Sequence, residues 1–325
     1  MAEITYREAV RDAIAEEMRR DERVFVMGED VAIYGGAYQA TKGLLEEFGE
    51  ERIRDTAISE AAISGAAVGA AMCGLRPVAE IMYVDFMTIA MDQFVNQAGK
   101  NRYMFGGKTT VPMVLRTEGG AGRSIAAHHS QSLEAWFYHA PGVFVVMPAT
   151  PYDVKGLLKT CIRDDNPILF IEHKMLYGDK GEVPDEEYLI PLGEAAIRRE
   201  GSDVTLVSYS RMALMAAEAA EALAGDGIDA EVIDLRSIKP LDIQAILKSV
   251  KKTGRLILVS EAYKDGNIVC DIAMKVNEFA FDYLDAPIER VCAINAPVPM
   301  SPVLEDVAIP RTLDIVAAAK RTLGK

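Results

Sequence analysis

Short, almost wholly apolar runs alternate with longer amphipathic ones along this chain, and the alternation leaves few folds open. VFVMGED (24–30), RPVAEIM (76–82), VPMVLRTE (111–118), VFVVMP (143–148) and NPILFIEH (166–173) read as strands. Helical stretches lie among them: SEAAISGAAVGAAMCG, DFMTIAMDQFVNQAGKNRYMF and TPYDVKGLLKTCIRDD. A strand that is apolar on both faces must be covered on both, the condition met by a parallel sheet wrapped in helices. A charged stretch with prolines and glycines, 174–200, then interrupts the pattern and reads as a linker. VTLVSYS, AEVIDLR, RLILVSE and IERVCAI renew it as strands, with helices expected at 211–224, 241–251 and 266–281 and a terminal helix in TLDIVAAAKRTL. A single core rarely grows past roughly 250–300 residues, so 325 residues suggest two domains. The expected fold class is α/β, with two doubly wound domains.

Composition removes several functions. The net charge of −14 repels phosphate backbones and anionic lipid, so neither nucleic acid nor membrane is an expected partner. No apolar run approaches the roughly 18 residues of a spanning helix. MAEITYREAV carries acidic residues and no apolar core, so no signal or transit segment is read there, and a cytoplasmic location is expected. Thr5 followed by Glu8 is a capping box that opens the first helix. Cys73, Cys161, Cys270 and Cys292 form no CxxC pair and read as reduced thiols.

Three of the four histidines crowd into SIAAHHSQSLEAWFYHAPG (124–142). A zinc site there lacks a second ligand cluster, and AGRS is no nucleophile elbow of the GxSxG kind. His139 and His173 read as structural. His129 differs, because it follows a Gly-rich loop at the mouth of a buried strand, where doubly wound folds gather ligands. Glu60 is the second singular residue. It follows Ser59, read as an N-cap, and opens a helix of small residues suited to close packing. It is either an ordinary first-turn carboxylate or a group facing an interface. AGDGIDAEV contains a GDG at Gly225–Gly227, the start of a thiamine-diphosphate magnesium motif. No Asn follows in KSVKKTGR, so the GDG reads as a helix C-cap turn.

ISEAAISGAAVGAAMCGLRPVAEIMYVDFMTIAMDQFVNQAGK, AAHHSQSLEAWFYHAPG and CIRDDNPILFIEHKMLYG together resemble the E1 β subunits of the 2-oxo acid dehydrogenase complexes, over essentially the whole chain. The resemblance implies a transketolase-like fold: a pyrimidine-binding domain at 1–180 and a transketolase C-terminal domain at 190–325. It implies thiamine diphosphate shared with an E1 α subunit that holds the Mg2+, an α2β2 heterotetramer, and a lipoyl-bearing E2. Glu60 matches the carboxylate that hydrogen-bonds the cofactor's aminopyrimidine ring. Ile58, Met82 and Phe86 match positions lining the pyrimidine pocket, and His129 matches the catalytic histidine of an HSQ motif. His128 stands where relatives often have Gln. Met113, Cys161, Ile162, Asp164 and Asn166 match a potassium loop, though an ordinary helix-to-strand turn accounts for the same residues. The small-molecule substrate implied is acetoin, or else pyruvate or a branched-chain 2-oxo acid, because EHKMLYG looks most like acetoin-cleaving members. A non-catalytic scaffold of this fold is the competing class, and it would be expected to have lost Glu60 or His129.

Overall fold

A computed structural model describes all 325 residues. The chain divides into two compact units and does so discontinuously. The first comprises Met1–Gly119 and Trp136–Leu192, the second Gly120–Ala135 and Gly193–Lys325.

In the first unit the strands lie in the order Phe144–Val146, Ile168–His173, Val114–Gly119, Arg76–Ile81, Val24–Gly28, Ile53–Asp55. Every neighbouring pair is parallel, with Val24 opposite Arg76, Val78 opposite Val114 and Val114 opposite Ile168. The three central strands are buried at every position, in keeping with their largely apolar sequences. The helix Tyr6–Arg20 buries Ala9, Val10, Ala13, Ile14 and Met18 and packs on Pro151–Arg163. Its capping box is present: Glu8 N–H donates to Thr5 Oγ1 at 3.3 Å, and Thr5 N–H donates to Glu8 Oε2 at 2.7 Å.

Three local features depart from expectation. The helix expected over 85–105 is broken into a 3-10 turn, an α turn, a π-helical segment at Asp92–Ala98 and a final α turn at Gly99–Met104. Its last turn meets Gly142, where an added Cβ would lie 1.8 Å from the Gly99 carbonyl oxygen. The stretch 174–200 is not a bare linker. Lys180–Val183 pairs antiparallel with Ala2–Thr5, and Ala196–Arg199 joins the second sheet, pairing antiparallel with Ala230–Asp234. Both are short edge pairings, and their charged residues suit solvent-facing strands.

The second unit's strands run in the order Glu289–Ala293, Leu256–Tyr263, Val204–Ser208, Ala230–Asp234, Ala196–Arg199, with the first four parallel. Val204, Leu206, Val232, Ile257 and Val259 form a core with Ala216, Ala220 and Leu223 of the helix Arg211–Gly225 and Ile315 and Ala318 of Thr312–Thr322. No helix is long and apolar enough to cross a membrane.

Candidate cofactor site

The carboxyl ends of the first unit's strands are rich in acid. Glu80, Glu118 and Glu172 each stand one residue before the end of their strand. Arg116 serves two of them, with Nε and Nη2 on Glu172 at 2.6 and 2.8 Å and Nη1 on Glu80 at 2.6 Å. The Tyr177 hydroxyl donates to Glu172 at 2.6 Å. Glu118 Oε1 is buried without a hydrogen-bond partner. Burial and the charges of Glu80 and Glu172 hold its carboxyl well above the ordinary range.

Glu60 begins the helix Glu60–Met72 and is only 8% exposed. Ser59 stands at the N-cap position, yet its side chain makes no capping bond. Glu60 is the one acidic residue of the first turn. Two residues earlier, Ile58 is 80% exposed, an unusual position for a large apolar side chain beside a buried carboxylate. The helix packs on Arg76–Ile81 and Met87–Met91, and Met82 and Phe86, in the turn joining those two elements, are half-buried. Glu60, Ile58, Met82 and Phe86 thus belong to one unit and one end of its sheet. Sequence reading missed their neighbour Glu29, which follows the strand Val24–Gly28. Its Oε1 is buried without a partner. Burial, then the charges of Glu60, Asp30 and Glu80, raise its carboxyl. The acidic pair after a buried strand, GED, was the available signal.

The turn after Pro151–Arg163 gathers backbone oxygens around a cation. Arg76 Nε donates to the Ile162 carbonyl at 2.8 Å, and Nη2 to those of Arg163 and Asp164 at 2.6 Å each. Asp164 Oδ1 accepts from the backbone and side-chain amides of Asn166, both at 2.8 Å. Met113 and Cys161 are buried, and burial pushes the Cys161 thiol well up. The carbonyls gathered in this turn are thus bonded to the Arg76 guanidinium.

His129 belongs to the second unit. It closes a short 3-10 turn, Ala127–His129, and its N–H donates to the Ala126 carbonyl at 3.2 Å. His129 is half-buried and His128 exposed. A cavity of about 580 Å³ opens against this loop, lined by His128, Gln131, Tyr263, Asp265 and Asn295 among others. His128, and not His129, is among its lining residues. His139 is exposed, as is Trp136 at 52%, so burial lends no support to the structural role read for His139. His173 is buried, with Nδ1 accepting from the Met175 amide at 3.2 Å, a structural turn. Gly225–Gly227 is a helix end: Gly227 N–H returns to the Ala224 carbonyl with φ 72°, and Asp226 pairs with Lys320 at 2.8 Å.

Comparison with known proteins fits this geometry. Residues 2–180 match the transketolase pyrimidine-binding domain and residues 193–315 the transketolase C-terminal domain. The chain is 50% identical to the pyruvate dehydrogenase E1 component subunit β of Rhizobium meliloti, over 100% of this chain and 71% of that protein. It is 49% identical to the acetoin:2,6-dichlorophenolindophenol oxidoreductase subunit β of Cupriavidus necator, over 97% of this chain and 96% of that one. The corresponding Bacillus subtilis subunit is 48% identical, over 99% and 98%. A split-gene transketolase solved as an inactive β4 tetramer superposes with a TM-score of 0.81 at 22% identity, covering 99% of each chain.

Proposed function

The chain belongs to the E1 β subunits of the pyruvate and acetoin dehydrogenase complexes, and on that footing we propose that it completes a thiamine-diphosphate site with an E1 α subunit in an α2β2 heterotetramer. The observation that carries the reading is Glu60, a buried carboxylate at a helix start, flanked by exposed Ile58 and by the raised acid Glu29. An acid so placed suits a protonated ring nitrogen better than water. When bound, thiamine diphosphate would supply a carbon nucleophile. Glu60 would accept a hydrogen bond from its aminopyrimidine ring, and Ile58, Met82 and Phe86 would form the apolar walls that orient it. His129 gives and takes the proton at the substrate oxygen. The α subunit holds the Mg2+, since the only GDG here is a helix end, and the acyl group passes to the lipoyl group of an E2.

Acetoin is the substrate we favour, on the likeness of Glu172-His173-Lys174 and the following MLYG to acetoin-cleaving members. Pyruvate is the second reading, favoured by the Rhizobium meliloti relative. Those three residues are buried, so they carry resemblance and not substrate contact. Potassium, held mainly by oxygen atoms at Met113, Cys161, Ile162, Asp164 and Asn166, many of them from the backbone, is proposed as a structural ion. The test of the whole reading is co-expression with the α chain, followed by turnover of acetoin against pyruvate. Turnover of neither by the assembled tetramer would overturn it.

A further inference from the structure

We infer that Glu305 is a positioning residue for His129: its buried carboxylate fixes the shape of the loop that presents the histidine. The inference rests on the assignment of His129 made above.

The loop Gly120–Ala135 is tied to the second unit by acids that come from far along the chain. Gly122 N–H donates to Glu305 Oε1 at 2.8 Å. Ser124 donates twice to Glu305 Oε2, from its N–H at 2.9 Å and its hydroxyl at 3.0 Å. Ala121 N–H donates to Glu261. Glu305 is 3% exposed and sits in the helix Pro302–Ala308. Ala121 packs with Val298 and Ile309, the residues flanking that helix. The far end is held separately. Gly120 N–H donates to the Gln131 carbonyl at 3.0 Å, and Tyr209, itself bonded to Ser260 at 2.8 Å, donates to Glu134 at 2.7 Å. His128 and His129 lie between these anchors.

What the clamp holds is a costly backbone. Gly122 has φ 104°, and Ser124 and Ala126 have φ 56° and 66° although both carry a Cβ. Such residues persist only where surrounding contacts over-determine them, and they cluster at functional sites. Ala126, whose carbonyl accepts the His129 N–H, is the last strained residue before the histidine turn. Neutral acceptors could satisfy three N–H and O–H donors without burying a charge. A carboxylate does so with charge-assisted bonds, and its two oxygens span the turn in one rigid piece. That rigidity is what proton transfer needs, since small misplacements of a catalytic group cost large factors in rate.

The test is a double-mutant cycle on the assembled tetramer, co-expressed with the α chain. It uses free lipoamide as acceptor and whichever of acetoin or pyruvate is turned over. Glu305→Gln turns one acceptor oxygen into an amide donor. It is expected to lower kcat about 10- to 100-fold while KM and thiamine diphosphate affinity stay within about twofold. On a His129→Ala background the same change should cost less than about twofold further, because the residue it acts through is gone. Ser124→Ala, which removes only the hydroxyl bond, should give a smaller loss with the same dependence on His129, and it serves if Glu305→Gln does not assemble. Equal fold losses on both backgrounds would overturn the inference, as would a melting temperature that falls with no change in kcat. Full activity of His129→Ala alone is a different result: it brings down the His129 assignment, and this inference with it.

Discussion

Single side chains decide the chemistry, and the histidines show the limit of reading them from sequence. The HSQ match singles out His129 by order along the chain, whereas the cavity beside the loop is lined by His128. His129→Ala should lower lipoyl acylation by about 10²–10⁴-fold with cofactor affinity little changed, and His128→Ala should be milder. A more damaging His128→Ala would shift the catalytic assignment one residue back. Glu60→Gln should slow C2 hydrogen–deuterium exchange of bound cofactor, also by about 10²–10⁴-fold, with the melting temperature of the tetramer unchanged; an unaltered exchange rate sinks the role given to Glu60. Glu118 makes a prediction about pH. Its folded carboxyl is raised above the unfolded value, so the folded chain holds the extra proton. The resulting cost is absent below the unfolded carboxylate range, grows as pH rises through it, and is complete above the folded value. Glu118→Gln should therefore stabilise the chain at pH 8 by on the order of 1 kcal/mol, with the gain shrinking toward about pH 4. Urea midpoints at both ends of that range check this, and an equal gain at the two would refute it.

At the scale of elements, legibility followed locality. The central strands announce themselves because burial on both faces forces apolar runs, and the capping box is complete within four residues, from Thr5 to Glu8. The π-helical segment at Asp92–Ala98 has no local signature in the sequence, and the turn that follows it passes a backbone more than forty residues away in sequence. Gly142 marks that crossing. It combines φ 89° with a hydrogen where any other residue would place carbon against the Gly99 carbonyl. Gly142→Ala should cost about 3 kcal/mol or more, from strain and overpacking together. Equilibrium denaturation of the purified chain reads this directly, and a loss below 1 kcal/mol would mean that the two segments part easily. The strands in 180–183 and 196–199 were hidden for the opposite reason: they are short, charged edge pairings with almost no apolar signature.

For the whole molecule, the strand–helix alternation was legible, while the strands within the charged segment 174–200 and the transfer of Gly120–Ala135 to the second unit were not. That stretch lies amid the strands of the first unit in sequence, and only contacts made much later in the chain reveal where it belongs. The working unit proposed for the chain is larger still. Without a credible magnesium motif, the isolated chain should bind thiamine diphosphate and Mg2+ weakly or not at all by calorimetry. Binding with a Kd of about 1 μM in the absence of an α chain would contradict the shared site. The loop's long reach has a further consequence for synthesis. Gly122 waits for an acid 183 residues downstream. At about 5–20 residues per second, the ribosome delivers that acid roughly 10–40 s after the loop has emerged. Through that interval the nascent chain can complete its first sheet with the histidine loop still slack, so that loop is among the last parts of the newborn protein to set.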